Sequence, residues 1–304
     1  MYGDNERPYM SVSRVAVTGG NGKIGEHIID HLNQHDYDTV NVARGKQRET
    51  VSDQYLSTDL LDAGQVYGSL AKADVDAVIH MGTIPRPQLH AQHLVYESNV
   101  MTTVNILEAA EALGLESVCI ASSINAMGAE HQRRPADVQY VPIDESHPRT
   151  PDDIYGIAKH AMEVTADGFA RRPDSSMTIA SLRYPWVVTR EEQREYLAHR
   201  DRSLRAVNDS HPATGRDVMF AYLDIDDGAA IARSCIEAEY TGHEVFWAVA
   251  GDTTVDAPTA DVIDEYFPQA DCMADFSGTQ TLFSLEKANE LLGWEPTRSW
   301  RDLR

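Results

Sequence analysis

The stretch VAVTGGNGKIG, at residues 15–25, constrains the fold of this chain more than any other feature of its sequence. Its apolar start predicts a buried strand, and apolar residues recur at helical spacing from residue 24 to residue 32. Gly19 permits a tight turn between the two, Gly22 lets a pyrophosphate approach the backbone, and Gly25 lets helix and strand pack closely. A helix that begins here presents free N–H groups to phosphate oxygens. The stretch therefore predicts a dinucleotide site lined by Gly19, Gly20, Asn21, Gly22, Lys23, Ile24 and Gly25.

Strands and helices alternate along the first half of the chain. Apolar runs predict strands at residues 39–43, 54–57, 75–80, 117–121 and 177–182, and amphipathic patterns predict helices at 63–70, 96–113 and 152–170. This alternation is typical of an α/β fold, a Rossmann-type doubly wound parallel sheet with helices on both faces. After residue 183 the rhythm weakens, with candidate elements at 218–225, from 226, at 245–249 and at 284–292. We therefore expect a flexible extension at 1–11, a nucleotide-binding domain at 12–183, and a small C-terminal substrate lobe at 184–304 that is interleaved with the main domain.

The chain is strongly acidic, with 48 Asp and Glu residues, 26 Lys and Arg residues and a net charge of −22 at pH 7. Nucleic acids and anionic membranes bind basic surfaces, so neither is an expected partner. The acidity and the scarcity of lysine resemble proteins of salt-loving archaea, in which molar salt screens the repulsion. There is no apolar run long enough to span a membrane. The three cysteines form no CxxC pair, which fits a reducing cytoplasm, and the histidines show no metal-binding spacing.

A tyrosine and a lysine four residues apart, Tyr155 and Lys159, lie in the last predicted helix of the first half. Residues at this spacing project from the same helix face, so the phenol and the ammonium are expected side by side. A nearby cation lowers the pKa of a phenol, which would make Tyr155 a proton acceptor near neutral pH. Ser123 closes a predicted strand, and ligands of doubly wound sheets bind at that edge.

Seven motifs in family order carry a resemblance to the extended short-chain dehydrogenases/reductases, the NAD(P)-dependent sugar epimerases, dehydratases and dehydrogenases. They are TGGNGKIG (18–25), Asp59-Leu60, HMG (80–82), Asn99-Val100, ASSINAMG (121–128), YGIAK (155–159) and LRYP (182–185), and the tail at 284–296 is similar as well. The resemblance implies that Ser123, Tyr155 and Lys159 are catalytic and that Asn99 supports the lysine through a water. It also implies cofactor contacts from Asp59, Leu60, Met81, Gly82, Thr83, Tyr155, Lys159, Pro185 and Trp186.

The end of the second predicted strand indicates which cofactor is used. NAD-preferring sheets of this kind carry an acidic residue there, which binds the ribose 2′-hydroxyl and repels a 2′-phosphate. This chain has Ala43-Arg44 instead, with Lys46 and Arg48 just behind. We therefore predict that NADP is preferred, with Arg44 on its 2′-phosphate, and that NAD is possible.

Departures from the nucleotide-sugar members of the resembled family indicate the substrate. This chain has Met127 where those members usually carry a tyrosine, reads RYPWVV at 183–188, and shows no recognisable diphosphate grip between residues 190 and 226. The segments HMGTIP and SSINAMG are instead similar to the family's uronate and aldose 1-dehydrogenases. The resemblance thus implies oxidation of a free monosaccharide at C1 to the lactone, with L-arabinose as the first candidate. Predicted substrate contacts are Thr83, Arg86, Ser123, Asn125, Trp186 and Arg190, the two arginines serving a carboxylate if the sugar is a uronate.

Two other functions stay open on the sequence. One is a nucleotide-sugar 4-epimerase or dehydratase, which would regenerate its cofactor rather than release it. The other is a non-catalytic NADP-sensing regulator, whose expected mark, loss of the tyrosine or the lysine, is missing here. The expected partners are a small-molecule sugar and further copies of the chain, because the resemblance implies a homodimer or tetramer through the helices that bear Asn99 and Tyr155.

Overall fold

A parallel sheet of seven strands forms the centre of the molecule. The structure, a computed structural model, describes residues 12–46, 51–173, 175–207 and 214–304. In chain order the strands are β1 (Arg14–Thr18), β2 (Asp38–Ala43), β3 (Gln54–Ser57), β4 (Ala77–His80), β5 (Ser117–Ser123), β6 (Tyr140–Val141), β7 (Thr178–Tyr184), β8 (Val187–Val188), β9 (Leu223–Asp224), β10 (Gly242–Trp247) and β11 (Asp271–Cys272). The central sheet has the order β10-β7-β5-β4-β1-β2-β3, and two further pairs, β6 with β11 and β8 with β9, lie outside it.

Helices cover both faces of this sheet. They are α1 (Lys23–Asn33), α2 (Ala63–Ala73), α3 (Gln92–Leu113), α4 (Ile154–Ala170), α5 (Arg190–Gln193), α6 (Ile225–Glu237), α7 (Thr259–Tyr266) and α8 (Glu286–Leu292). Along β1, Val15 and Val17 face a core shared with α1 and α6, while Ala16 between them faces a core shared with α2, α3 and α4. This alternation follows from the two-residue period of a strand. The result is a three-layer α/β/α arrangement.

A third apolar cluster lies beyond the carboxyl edge of the sheet. It joins Ile124 and Met127, which follow β5, to Phe220, Trp247 and Phe283 from the second half of the chain. The cluster fixes the later segments against the strand ends, so that both halves of the chain form the walls of the same cleft. Among the residues that the structure describes, no helix is both long and apolar enough to cross a membrane.

The predicted Rossmann-type doubly wound sheet is confirmed, and each predicted strand of its first half is present within two residues of its expected position. The stretch 218–225 is different, because it holds a short turn and β9, and α6 already begins at Ile225. The predicted helix at 96–113 begins earlier, at Gln92. Strand β10 of the central sheet and helix α6, which covers that sheet, both lie after residue 183. A domain boundary at residue 183 would therefore separate β10 from its neighbour β7 in the same sheet. The predicted extension at 1–11 lies outside the described residues.

Candidate active site

A cavity of about 1110 Å³ lies at the carboxyl edge of the sheet, where β1, β4, β5 and β7 end. Doubly wound sheets bind their ligands at this edge. The walls contain most of the residues predicted from the sequence. These are Gly19, Asn21, Gly22, Lys23, Ile24, Gly25, Arg44, Asp59, Leu60, Met81, Gly82, Thr83, Arg86, Ser123, Asn125, Tyr155, Lys159, Pro185 and Trp186.

The turn between β1 and α1 has no side chains that would keep phosphate groups away from the protein backbone at Gly19, Gly22 and Gly25. Gly19 has φ +68°, and a Cβ there would lie 2.9 Å from the backbone of Gly82. A Cβ on Gly25 would lie 2.5 Å from the carbonyl oxygen of Gly19, so only glycine lets the helix start so close to the strand. Gly22 precedes α1 and lines the cavity with the first helical N–H groups behind it. This cradle fits a dinucleotide pyrophosphate.

Two basic side chains line the cavity where β2 ends. Arg44 and Lys46 are exposed and line the wall where β2 ends, and Asp59 and Leu60 line it from the loop after β3. The Asp59 carboxylate accepts the backbone N–H of Leu61 at 3.1 Å, which holds that loop in shape. Arg48 lies outside the described residues. A cationic corner beside an adenosine site fits a ribose that carries a 2′-phosphate.

An ion pair joins the two walls of the cavity. Lys23, the first residue of α1, contacts the Glu192 carboxylate and also donates to the carbonyl oxygen of Val187 at 3.0 Å. Glu192 is fixed in turn, because it accepts the backbone N–H of Thr189 at 2.8 Å in a capping box at the start of α5. The contact thus bridges the glycine turn and the segment that follows β8.

Tyr155 is the second residue of α4 and is buried. The Asp153 side chain caps this helix by accepting the N–H groups of Tyr155 and Gly156, each at 2.9 Å. A Cβ on Gly156 would lie 2.4 Å from the carbonyl oxygen of Asn125, so glycine is needed for α4 to approach the turn after β5. The helix start therefore brings the Tyr155 phenol up to Ser123.

Ser123 ends β5, and its side chain is held from several directions. Its Oγ accepts from the backbone N–H and the side-chain amide of Asn125, at 3.2 Å and 3.1 Å, and donates to the carbonyl oxygen of Tyr184 at 3.4 Å. Asn125, predicted as a substrate contact, thus also positions the serine. The last of these bonds is long, so the serine hydroxyl is readily available to another acceptor.

Lys159 lies one turn after Tyr155 and is buried. Its Nζ donates to the carbonyl oxygen of Ala121 at 2.6 Å and to Thr83 Oγ1 at 3.1 Å, and it lies 5.5 Å from the centroid of the Tyr155 ring. Burial lowers the pKa of Lys159 to about 7, although the Glu163 carboxylate opposes this change. The predicted tyrosine–lysine pair is therefore brought together on one helix face.

The expected lowering of the phenol's pKa is not found. Burial raises the pKa of Tyr155 to about 12, the hydrogen bond with Ser123 lowers it in part, and the Asp153 and Glu130 charges raise it further. The reason is that desolvation of the phenolate is the largest effect on this group. In the protein alone, the Tyr155 phenol is a proton donor.

A buried ion network lies behind these groups. The Glu163 carboxylate accepts from Arg183 Nε and Nη2, each at 2.9 Å, from Arg149 at 3.1 Å and from Ser122 Oγ at 2.7 Å. Burial raises the pKa of Glu163, but the hydrogen bonds and charges of Arg183, Ser122 and Arg149 together lower it more, so the net pKa falls. Since Glu163 is on α4, Arg183 on β7 and Ser122 on β5, the network links the three elements that carry Ser123, Tyr155 and Lys159.

His80, at the end of β4, is held as a neutral ring. Thr18 Oγ1 accepts the N–H of Gly82 at 3.1 Å and bonds His80 Nδ1 at 2.7 Å, and Thr102 Oγ1 lies 3.2 Å from Nε2. Burial and the Lys159 charge lower the pKa of His80 to about 3. This histidine therefore ties two strand ends to α3 and is not charged at physiological pH.

Three predicted site residues lie outside the cavity walls. A Cβ on Gly20 would lie 2.5 Å from Asn41 Oδ1, so this glycine serves packing against β2. The Asn99 amide accepts the N–H of Ile84 at 2.7 Å and donates to its carbonyl at 3.3 Å, which fixes the loop after β4. The Arg190 guanidinium donates to the carbonyl oxygen of Ser299 at 2.9 Å and lies 3.8 Å from Asp224. Arg190 is thus bound to the C-terminal segment and does not reach the predicted substrate site.

Polar side chains that the sequence did not single out complete the wall near Tyr155. Gln88 follows β4, and Glu130 and His131 follow β5. The rings of His131 and Tyr155 meet edge-on with centroids 5.5 Å apart, and Gln88 Nε2 lies 3.1 Å from His131 Nδ1. The sequence indicated these residues only indirectly, because their loops follow two strands that end in predicted site residues.

The sequence of this chain is similar to the sequences of several known proteins. The profile of the NAD dependent epimerase/dehydratase family matches residues 15–238. A putative UDP-glucose 4-epimerase of Methanocaldococcus jannaschii is 31% identical over 49% of this chain, and the match spans 48% of that protein, about half its length. Two proteins of Haloferax volcanii match over more of their length. The L-arabinose 1-dehydrogenase (NAD(P)(+)) is 28% identical over 64% of this chain and 76% of its own, and the NAD-dependent glucose-6-phosphate dehydrogenase is 25% identical over 78% and 84%.

Solved structures share the fold across almost the whole chain. A mutated uronate dehydrogenase superposes with a TM-score of 0.66 at 20% identity, covering 96% of this chain and 84% of that one. MoeE5 in complex with UDP-glucuronic acid and NAD superposes with a TM-score of 0.68 at 22% identity, covering 95% of each chain. At these identities the likeness is one of fold.

Proposed function

Because the chain belongs to the NAD dependent epimerase/dehydratase family, we propose that it oxidises a free monosaccharide at C1 to the lactone and passes the hydride to NADP or NAD. The observation that carries the proposal is that Ser123, Tyr155 and Lys159 line the same cavity as the glycine turn between β1 and α1. A hydroxyl bound beside Tyr155 would face a hydride acceptor laid along that turn.

A side chain of this protein accepts the proton that leaves the C1 hydroxyl. When bound, the oxidised nicotinamide supplies a hydride acceptor and a positive charge. A positive charge nearby favours the phenolate, so it lowers the pKa of Tyr155 from the high value that burial imposes. Tyr155 then takes the proton of the C1 hydroxyl as the C1–H bond breaks with its electron pair and a C1=O bond forms.

Ser123 and Lys159 position the groups that react in this step. The Ser123 hydroxyl exchanges its long bond to Tyr184 for one to the sugar oxygen, which fixes C1 in place. Lys159, held by Ala121 and Thr83, supports the phenolate when it is protonated and can donate to a ribose hydroxyl. Trp186 and Pro185 also line the cavity.

The sugar dehydrogenases of Haloferax volcanii support oxidation over epimerisation, since this chain covers 76% and 84% of their lengths but only 48% of the epimerase. Exposed Arg44 and Lys46 support NADP as the preferred cofactor. L-Arabinose stays the first candidate, with galactose-configured sugars and uronates behind it. The acidic composition supports function in a salt-rich cytoplasm.

The test is a panel of sugars offered to the purified protein in ~2 M KCl, at which salt screens charges beyond ~3 Å. L-Arabinose, D-xylose, D-galactose, D-glucose and D-galacturonate are each supplied with NADP and with NAD. Growth of the reduced-nicotinamide absorbance with a lactone or aldonate product supports the proposal. Interconversion of UDP-galactose and UDP-glucose without net reduction would establish the epimerase instead, and cofactor binding with no turnover of any sugar would favour the regulator.

We also propose a homodimer through α3 and α4. Leu94 and Met101 on α3, and Ile157 and Val164 on α4, are apolar and exposed, and each pair is seven residues apart on one helix face. Ile157→Glu should shift the sedimentation coefficient to that of a monomer, whereas Lys72→Glu on α2 should not. A wild-type protein that sediments as a monomer contradicts the proposal.

A further inference from the structure

The cavity has the opposite charge balance to the rest of the molecule. Five Lys or Arg residues and three Asp or Glu residues line it among the described residues, while the chain has 26 basic and 48 acidic residues. Such a wall attracts anions to a protein that otherwise repels them. Lys23 is paired with Glu192, and a 2′-phosphate of the proposed cofactor would account for Arg44 and Lys46. Lys159 is engaged by Ala121 and Thr83.

Arg86 is the remaining basic residue of the wall, and its loop lies beside the residues that contact Lys159 and Tyr155. Its loop begins at Thr83, which accepts a hydrogen bond from Lys159, and ends at Gln88, which bonds His131 beside Tyr155. No hydrogen bond or ion pair joins the Arg86 guanidinium to another residue of the described part of the chain. Arg86 is exposed, and the other arginine of the wall, Arg44, also has no such partner but follows β2 at a different part of the wall.

The loop that carries Arg86 is stiff. Prolines flank Arg86 on both sides, and each fixes its own φ near −65°. Asn99 holds the backbone of Ile84 by two hydrogen bonds, and the carbonyl of Arg86 accepts the N–H of Leu89 at 3.2 Å. The arginine backbone is thus preorganised at the wall, which lowers the entropy lost when a ligand is bound.

His131 and Glu130 are the other polar residues that line the cavity near Tyr155. Because the Gln88 Nε2 amide can only donate, His131 Nδ1 is the acceptor and the hydrogen of the neutral ring is on Nε2, available to a sugar oxygen. The Glu130 carboxylate can accept from a sugar hydroxyl near Tyr155. These groups suit a polyhydroxyl ring, while Arg86, with its forked N–H groups, suits a carboxylate or a phosphate monoester.

We infer that the substrate is a free sugar carrying one anionic group away from C1, and that Arg86 binds this group. The inference rests on the proposed function and narrows it, since a neutral sugar such as L-arabinose would leave Arg86 without a partner. Carboxylate and phosphate share the chemistry that the guanidinium recognises, so the experiment separates a uronate from a sugar phosphate.

The experiment compares the wild type with Arg86→Gln, Arg86→Lys and the control Arg171→Gln, an exposed arginine at the end of α4. Initial rates are measured with NADP for D-galacturonate and D-glucuronate, for glucose 6-phosphate, and for the neutral D-galactose and D-glucose. We expect kcat/KM for one acidic class to exceed that of its neutral parent at least ~10-fold, about the factor for one charge-assisted contact. Arg86→Gln should remove this preference through KM, Arg86→Lys should keep part of it, and Arg171→Gln should keep all of it.

Binding measured by calorimetry with reduced cofactor bound separates this inference from the reaction. An acidic sugar that binds in an Arg86-dependent way supports the inference even if nothing is oxidised, in which case only the proposed function fails. Turnover of neutral sugars at equal or higher kcat/KM than the acidic ones overturns the inference and leaves the proposed function intact. Binding of UDP-glucose alone, or an acidic sugar whose binding Arg86→Gln does not weaken, also overturns it.

Discussion

Glu163 and Arg183 form a two-point ion pair with both side chains fully buried, in which Nε and Nη2 of the arginine each lie 2.9 Å from a carboxylate oxygen. Removing one charge leaves the other in a medium that solvates it poorly. Glu163→Gln should therefore destabilise the fold by about 3–5 kcal/mol. Urea unfolding at fixed KCl concentration measures the difference, since urea adds no charge to the solution.

The exposed pair of Glu111 and Arg172 provides the control for this prediction. Glu111→Gln should change the free energy of unfolding by less than about 1 kcal/mol, because water screens the pair. The double variant Glu163→Leu/Arg183→Met should recover much of the stability lost in Glu163→Gln. Equal losses for Glu163→Gln and Glu111→Gln would show that the buried pair does not stabilise the fold in this way.

Tyr155→Phe removes the phenolic oxygen and keeps the ring. If the phenol takes the substrate proton, turnover should fall at least ~10²-fold while the dissociation constant of the cofactor changes little. Stopped-flow or steady-state rates at saturating cofactor measure turnover, and fluorescence titration measures the dissociation constant of the cofactor. Tyr37→Phe, an exposed tyrosine hydroxyl bonded to Glu237, is the matched control. Near-normal turnover in Tyr155→Phe contradicts the assignment.

Lys159→Met should stabilise the protein in a pH-dependent way. An unfolded lysine keeps its pKa near 10.5, but burial lowers that of folded Lys159 to about 7. Between these values the unfolded chain binds a proton that the folded chain lacks, so wild-type stability rises with pH across that window. Methionine removes the effect, so its gain should be largest below pH 7, roughly 1–4 kcal/mol, and should shrink toward pH 10.5.

Urea unfolding from pH 6 to pH 10 measures the Lys159→Met gain. The exposed Lys72→Met variant is the control and should change the free energy of unfolding by less than about 0.5 kcal/mol. A gain at Lys159 that is constant with pH would mean that packing, rather than the buried charge, changes the stability. The same variant should lose activity, since it lacks the ammonium beside Tyr155.

Arg44→Ala tests the cofactor prediction. Loss of one charge-assisted contact to a 2′-phosphate should raise KM for NADP roughly 10- to 100-fold and leave KM for NAD almost unchanged. Lys72→Ala on the exposed side of α2 serves as the control. A clear wild-type preference for NAD that Arg44→Ala does not alter would exclude Arg44 as the 2′-phosphate ligand.

Added salt should stabilise the whole molecule. With a net charge of −22, carboxylate repulsion acts at long range in dilute buffer and is screened beyond ~3 Å at molar salt. The melting temperature should therefore rise between ~0.1 M and ~2 M KCl, concentrations on either side of that screening. Calorimetry at several KCl concentrations checks this, and a flat melting temperature contradicts it.

Local spacing was sufficient to predict much of the fold. The order strand, glycine turn, helix at residues 14–33 and the shared face of Tyr155 and Lys159 depend only on neighbours in the sequence, and the structure contains both. The same holds for the strands of the first half, because buried parallel strands are short apolar runs.

Long-range partners were not predictable in this way. Arg190 has an ordinary surface-like sequence context, and only the folded chain shows that it binds Ser299. The pairing of Lys23 with Glu192 likewise joins distant segments. The pKa of Tyr155 rises because the fold buries it, which the spacing to Lys159 does not reveal. The roles of the predicted catalytic, cofactor and substrate residues stay predictions.

The position of α6 has a consequence for how the protein is made. Ile28, Ile29 and Leu32 on α1 pack against Ile231 and its neighbours on α6, and the sheet edge at β7 is closed by β10. A ribosome therefore releases the glycine turn and its helix long before the segment that covers them. Until that segment emerges, the nascent chain carries an uncovered apolar helix face and an open strand edge, which favour aggregation. The first residues of the chain therefore begin a fold that only its second half completes.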